Sequence, residues 1–128
     1  MNILFLDGEE VRHKTLENIP KNGKLISCYT AEKAIELLTK KNFGIVCLDH
    51  DLGPASGLTG MDVVDFLCKK ELSYRPSLII IHSFNTSAVY RMDTALDGAG
   101  YQVMVIPFTR DLFRGITIDE GTITDKGV

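Results

Sequence analysis

Three short runs in this chain are apolar at nearly every position: NILFL at Asn2–Leu6, GIVCL at Gly44–Leu48 and LIII at Leu78–Ile81. A strand with one face in water alternates apolar and polar residues, whereas a strand apolar on both sides needs a packed layer on each. Runs of this kind belong to the interior of a parallel sheet. Two weaker runs, Leu25–Cys28 and Gln102–Ile106, bring the set to five. The segments between them have helical spacing. Glu9–Ile19 places Val11, Leu16 and Ile19 on one side. A second helix runs behind Thr30 to about Lys41, with Ala31, Ala34, Ile35, Leu37 and Leu38 on its apolar face. Met61–Lys70 offers Val63, Val64, Phe66 and Leu67 to the core, and a fourth helix starts behind Thr86 or Ser87 and ends near Gly98 and Gly100.

Strands alternating with helices predict an α/β fold: a doubly wound, flavodoxin-like parallel sheet of five strands in the order 2-1-3-4-5, with helices on both faces. After Pro107-Phe108, Thr109–Arg114 reads as one or two helical turns. Gly115–Thr124, GITIDEGTIT, reads as a β-hairpin. The expected organisation is one α/β domain over residues 1–114 and a tail over 115–128. A length of 128 residues fits one domain, and a 45% hydrophobic share suffices for a core with no disulfide or metal staple.

A net charge of −3, from 17 acids against 14 bases, argues against a broad basic face for duplex DNA. It leaves room for a small phosphate-bearing substrate held by local groups. Cys28, Cys47 and Cys68 are widely spaced and lie in apolar stretches, so they read as reduced buried thiols of a cytoplasmic protein. No run approaches the ~18 apolar residues of a membrane span. Met1 leads directly into a strand without the basic start and long apolar stretch of a secretory leader, and little is expected to be missing at that end.

In a 2-1-3-4-5 sheet, strands 1 and 3 are neighbours at the switch point, and their carboxyl ends form the ligand crevice. Those ends carry Asp7 and Asp49, and strand 4 ends at His82. Two adjacent carboxylates repel each other and are costly to desolvate, which a divalent cation relieves. Mg²⁺ accepts one or two carboxylates together with water and phosphate oxygens. Glu9 or Glu10 could add an acid through water, and Asp51 could contribute its backbone carbonyl. Taken singly, each acid reads equally well as a helix cap or a solvated loop residue. His50 and His82 are two of only three histidines, and both sit beside these acids. Imidazole exchanges protons near neutral pH, which suits phosphoester cleavage. Ser83, Asn85 and Arg12 could hold phosphate oxygens. His13 and Lys14 read as surface residues. Gly53, Gly57 and Gly60 fit neither a Walker nor a dinucleotide spacing, and Ser83 has no nucleophile-elbow context. Lys40-Lys41 and Lys69-Lys70 read as ordinary helix ends.

With LFLDGEE, VCLDHD and IIHS closing strands 1, 3 and 4, the chain resembles the receiver domains of response regulators from about Asn2 to Leu112. The resemblance implies an acidic cluster that binds Mg²⁺, a phosphoryl-accepting Asp49, and Ser83 as the hydroxyl ending strand 4. Two positions depart from it. Gly8 stands where a second acid is usual. Ile106 precedes Pro107 where receivers carry the lysine that pairs with the phosphoryl group, which argues against phosphorelay signalling. The chain is more closely similar to the cyclic-phosphate-processing receiver-like family, through LDHDLG at Leu48–Gly53, HSFN at His82–Asn85, Arg12, Met92 and the GYxVxxxPF run from Gly100 to Phe108. That resemblance implies action on cyclic phosphates, either RNA ends or cyclic nucleotides.

The leading expectation is a metal-assisted phosphoesterase. Asp7 and Asp49 would hold the cation, His50 and His82 would act as base and acid, and Arg12, Ser83 and Asn85 would hold the anion. Asp49 could instead form a phospho-enzyme. The competing readings are a signalling module phosphorylated at Asp49 and a non-catalytic nucleotide or partner binder. The sequence leaves the oligomeric state open.

Overall fold

The computed structural model describes residues 1–69, 72–119 and 122–125. Its central element is a five-stranded sheet of β1 (Asn2–Leu6), β2 (Lys24–Cys28), β3 (Ile45–Leu48), β4 (Leu78–Ile81) and β5 (Val103–Val105). The strands are parallel and ordered β2-β1-β3-β4-β5, as expected. The three apolar runs occupy the three central positions. Alternation sends Leu4, Leu6, Val46, Leu48, Ile79 and Ile81 to one face and Ile3, Phe5, Ile45, Cys47, Leu78 and Ile80 to the other, all at most 1% exposed. Each such aliphatic side chain contributes roughly 1.5–3 kcal/mol by leaving water, so both layers are needed.

The layers are unequal. The first face is covered by α2 (Ala31–Lys40), α3 (Gly60–Leu67) and α4 (Thr86–Gly98), through Ala31, Ala34, Val63, Val64, Leu67, Met92 and Leu96. On the second face, α1 (Glu10–Thr15) buries none of its residues. Leu112, Phe113 and Ile116 cover that face, with Leu16, Ile19 and Phe108 partly buried beside them. The expectation of helices on both faces is therefore met by one short helix together with irregular chain.

The first helix is shorter than its spacing predicts. It stops at Thr15, the cap residue Leu16 is extended, and Asn18 adopts φ +56°. Glu9 gives no side-chain cap, and a six-residue helix has few internal hydrogen bonds to hold it. The chain beyond it is tied down instead by the Glu17 amide donating to the Arg110 carbonyl at 2.7 Å. Leu16 and Ile19 still reach the core, but Val11 is exposed. The third helix ends at Leu67, capped by Cys68. Lys69 is beyond it, and Lys70 lies outside the described residues. Phe66 is only half-buried, with Lys69 over its ring. The fourth helix is capped one residue earlier than expected, by Asn85, whose side chain accepts from the Ala88 amide. After β5, hydrogen-bonded turns span Thr109–Ile116. The expected hairpin follows as β6 (Ile116–Asp119) paired antiparallel with β7 (Thr122–Asp125).

The long loop after β3 is drawn back onto the sheet at Gly60. Its amide donates to the His50 carbonyl at 3.1 Å, and a Cβ there would lie 2.0 Å from the Asp49 carbonyl oxygen. Thr59 caps α3 in a reciprocal box with Asp62. Gly60→Ala is therefore expected to lower the thermal midpoint by about 5–15 °C, the effect of roughly 2–3 kcal/mol of overpacking. Gly98→Ala, at a position where a Cβ meets nothing within 4 Å, is expected to be neutral or to stabilise by up to about 1 kcal/mol. Thermal unfolding followed by circular dichroism separates the two.

Candidate functional site

The carboxyl ends of β1, β3 and β4 lie side by side because their registers match. The Asp49 amide donates to the Leu6 carbonyl, and the His82 amide donates to the Leu48 carbonyl. The next side chain of each strand, Asp7, Asp49 and His82, therefore enters one notch. Asp7 and His82 are fully buried and Asp49 is 5% exposed. One ligand atom from each of the three lies within 4.8 Å of the others. Among the described residues this is the one cluster suited to a metal ion, and it brings together Asp7, Asp49 and His82 from the sequence expectation.

Asp7 is held by three donors. Its Oδ1 accepts from the Glu9 amide at 2.8 Å, and its Oδ2 accepts from Arg12 Nη1 at 3.1 Å and from His82 Nε2 at 3.2 Å. Burial pushes its carboxyl up, but the bonds from His82, the Glu9 amide and Arg12 outweigh burial and leave it below its ordinary value. Asp49 moves the opposite way. Burial and the neighbouring Asp7 charge raise it, against weaker opposing effects of His82, the His50 amide and Arg12. Arg12 Nη1 also lies 3.7 Å from Asp49 Oδ2, so a single guanidinium serves both acids. Its own charge is framed by Phe84 and Phe108, whose ring centres are 5.6 and 5.2 Å from Cζ.

His82 has no nitrogen open to water. Nε2 faces Asp7, while Nδ1 is buried without a hydrogen-bond partner among the described residues. Its ring stacks on Phe5 at 4.9 Å and 14°. The arrangement suits a positioning role for Asp7 better than proton exchange with a substrate. His50 is placed differently. Its Nδ1 pairs with Asp51 Oδ1 at 2.7 Å, and among the described residues Nε2 makes no hydrogen bond. Asp51 in turn accepts from Asn85 Nδ2 at 3.2 Å. The hydrogen bond from His50 is the main cause holding the Asp51 carboxyl below its ordinary value. Aspartate, imidazole and carboxamide thus form a chain along the rim of the notch.

The remaining predicted residues take other places. Glu9 is exposed and serves Asp7 through its amide. The Asp51 carboxylate is engaged with His50 and Asn85, outside the three-residue cluster. The Asn85 carboxamide oxygen is taken by the Ala88 amide and Ser87 Oγ, which limits what it can offer a phosphate. Ser83 Oγ accepts from the Asn85 amide at 3.1 Å and keeps its own proton to donate. His13 is not a surface residue. It is half-buried between Phe5 and Tyr29, and its Nε2 donates to the Asp7 carbonyl at 2.7 Å. Its position one turn into α1, facing back toward Asp7, was the available signal. Lys14 does lie at the surface, paired with Glu10.

Two buried carboxylates side by side, one of them raised by the other's charge, are a setting that a hard divalent cation relieves, and Asp7 and Asp49 are the acids present that could hold one. His82 on Asp7 resembles the outer hydrogen bonds that orient metal-binding carboxylates. Gly8 contributes by its lack of a side chain, since a Cβ there would lie 2.4 Å from the Leu52 carbonyl oxygen.

A family profile described as the cyclic-phosphate processing receiver domain matches residues 2–98. No curated protein matches the chain. Among solved structures, NtrX from Brucella abortus superposes with a TM-score of 0.58 at 20% identity, covering 85% of this chain and 24% of NtrX. The receiver domain of a Francisella response regulator gives 0.59 at 16% identity, covering 85% of this chain and 86% of that one. A response regulator from Burkholderia pseudomallei, solved with a phosphorylated aspartic acid, a calcium ion and citrate, gives 0.60 at 19% identity, covering 85% and 61%. The chain thus spans only part of two of these three proteins. At these identities the likeness shows the fold.

Without a cation, charge on Asp49 opposes folding at neutral pH because its carboxyl is raised in the folded protein. Asp49→Asn is expected to raise the thermal midpoint by several degrees at pH 7. The gain is full above the raised pKa of Asp49 and disappears as pH falls below the ordinary 3.8. Mg²⁺ is expected to stabilise the wild type and to leave Asp49→Asn unchanged. Calorimetric scans at pH 3.5 and 7, with Mg²⁺ or chelator, check both statements.

Proposed function

Since the chain belongs to the cyclic-phosphate processing receiver domain family, we propose that it hydrolyses a cyclic phosphodiester, carried on a nucleotide or an RNA end, with a divalent cation, Mg²⁺ by preference, as its cofactor. The observation that carries this reading is the pairing of two unlike sites in one notch. A buried anion-cation cluster of Asp7, Asp49, Arg12 and His82 lies beside the rim pair His50–Asp51. When bound by Asp7 and Asp49, the cation supplies positive charge to a phosphoryl oxygen.

This chain's own residues do the rest. Arg12 and the Ser83 hydroxyl hold the anionic oxygens. Asp51 fixes the His50 ring through Nδ1, which leaves Nε2 to take a proton from water. The water oxygen bonds to phosphorus, and one ring P–O bond breaks with its electron pair on the sugar oxygen. That oxygen takes the proton from His50, and a phosphomonoester results. His82 and His13 position Asp7 from its two sides and exchange no proton with the substrate. The acid–base pair expected from the sequence thus reduces to His50 working in both directions.

A receiver-type signalling role would use Asp49 as the phosphoryl acceptor. Its burial beside Arg12 favours that reading, but Ile106, packed against the second core cluster, leaves no cation in the lysine's place. A small-molecule phosphodonor followed by mass measurement distinguishes the two, since phosphorylated Asp49 would support signalling. We place the protein in the cytoplasm, where reduced thiols persist. Cys28 and Cys47 are buried, and burial raises the Cys28 thiol to about 12. Among the described residues, no helix is long and apolar enough to cross a membrane.

Wild-type protein with Mg²⁺ is expected to open a nucleoside 2′,3′-cyclic phosphate to the monoester. His50→Ala is expected to lower kcat by roughly 10²-fold or more. Asp51→Asn should lower it less, since the ring keeps its base nitrogen but loses the carboxylate that fixes it. Chromatographic product analysis checks this, and absence of turnover on any cyclic phosphate by the folded protein rejects it.

A further inference from the structure

Phe84 is unusual in its setting. It lies between Ser83, which is buried, and Asn85, which caps α4, yet the residue itself is 62% exposed. An aromatic side chain gains most from burial, and the core needs nothing from this one. Nor is the loop loose. The Asn85 amide bonds back to Ser83 Oγ, the Asn85 carboxamide caps the helix, and the Phe108 amide donates to the His82 carbonyl. The ring is therefore presented to solvent by a fixed backbone.

What surrounds the ring is polar and specific. The Arg12 guanidinium lies over it at 5.6 Å, and Arg12 is the cation that also touches Asp7 and Asp49. Phe108, the other ring beside Arg12, packs against Phe5 and His82 and is committed to the interior. Among the described residues, Phe84 pairs with no other ring. A phosphate held by Arg12 would thus sit beside an exposed, pre-positioned aromatic face. In a nucleoside cyclic phosphate, one sugar ring separates phosphorus from the base, a short span that a guanidinium and an adjacent ring can bracket. Aromatic side chains stack with any nucleobase, with little preference for sequence.

We propose that Phe84 is a stacking platform for the nucleobase attached to the cyclic phosphate, so that the ligand is a nucleotide and not a base-free sugar or polyol cyclic phosphate. This deepens the proposed function and rests on its placement of the phosphate at Arg12. Phe84 sets affinity and specificity and takes no part in bond making.

The test uses the whole chain with three probes: a nucleoside 2′,3′-cyclic phosphate, a short oligoribonucleotide ending in one, and 1-O-methylribose 2,3-cyclic phosphate, which has no base. Binding is measured by NMR titration, which does not depend on turnover, alongside kcat and KM. Phe84→Ala is expected to weaken both base-containing probes by roughly 5- to 100-fold relative to its effect on the base-free probe. The loss should appear in KM with kcat little changed, and Phe84→Tyr should restore binding. Base protons should shift upfield in the wild-type complex only. Stronger retention of the oligonucleotide than the mononucleotide identifies an RNA end as the source, and equal retention a free nucleotide. Equal weakening of all three probes, or none, overturns the stacking proposal and leaves the phosphoesterase reading standing. Base-dependent binding without turnover upholds the platform and removes the phosphoesterase. Failure of wild-type protein to bind any probe removes both.

Discussion

A carboxylate taken fully out of water costs several kcal/mol unless its oxygens find donors. Asp7 is in that position at the end of the interior strand β1. Its oxygens receive the Glu9 amide, Arg12 and His82, and its own carbonyl receives His13. These donors come from the β1–α1 turn, from α1 and from the end of β4. Satisfying one buried charge therefore draws three pieces of chain to one point. The short first helix, which contributes nothing to the buried core, is retained there by Arg12 and His13.

Asp49 completes the balance. Two carboxylates face one arginine and one imidazole. The opposite displacements of the two acids follow from unequal donor supply: Asp7 has two charged or ring donors, whereas Asp49 has the His50 amide and a longer approach from Arg12. Beside them Phe5, His82 and Phe108 form an aromatic cluster in which Phe5 and His82 are fully buried. A low-dielectric cluster strengthens the charge interactions beside it.

Much of this was legible in the residues. The runs NILFL, GIVCL and LIII suited interior strands, and the 2-1-3-4-5 order then placed Asp7, Asp49 and His82 together. Local signals were weaker where several caps competed. Thr86, Ser87 and Asn85 are all good N-caps, and the choice fell to Asn85 because its carboxamide also reaches Asp51. The Thr59–Asp62 box was hidden inside a glycine-rich loop. Helical spacing overextended α1 because Leu16 and Ile19 are buried by tertiary contact from extended chain, which periodicity cannot distinguish from a helix face. His13 was misplaced for the same reason: its surroundings come from Phe5 and Tyr29 on two neighbouring strand ends. The division of labour between the other two histidines depends on which ring nitrogen is free, and that is a matter of distances.

Gly8 carries a consequence for how such a site can change. The Leu52 carbonyl occupies the volume a Cβ would need at position 8, and the segment bearing it is fastened at its far end by Gly60 against Asp49 and His50. An acid gained at position 8 by single substitution would meet backbone before it met a cation. A chain with two consecutive acids here would need a coordinated rearrangement of the β3–α3 connection, so the obstacle to a second acid is steric and not chemical.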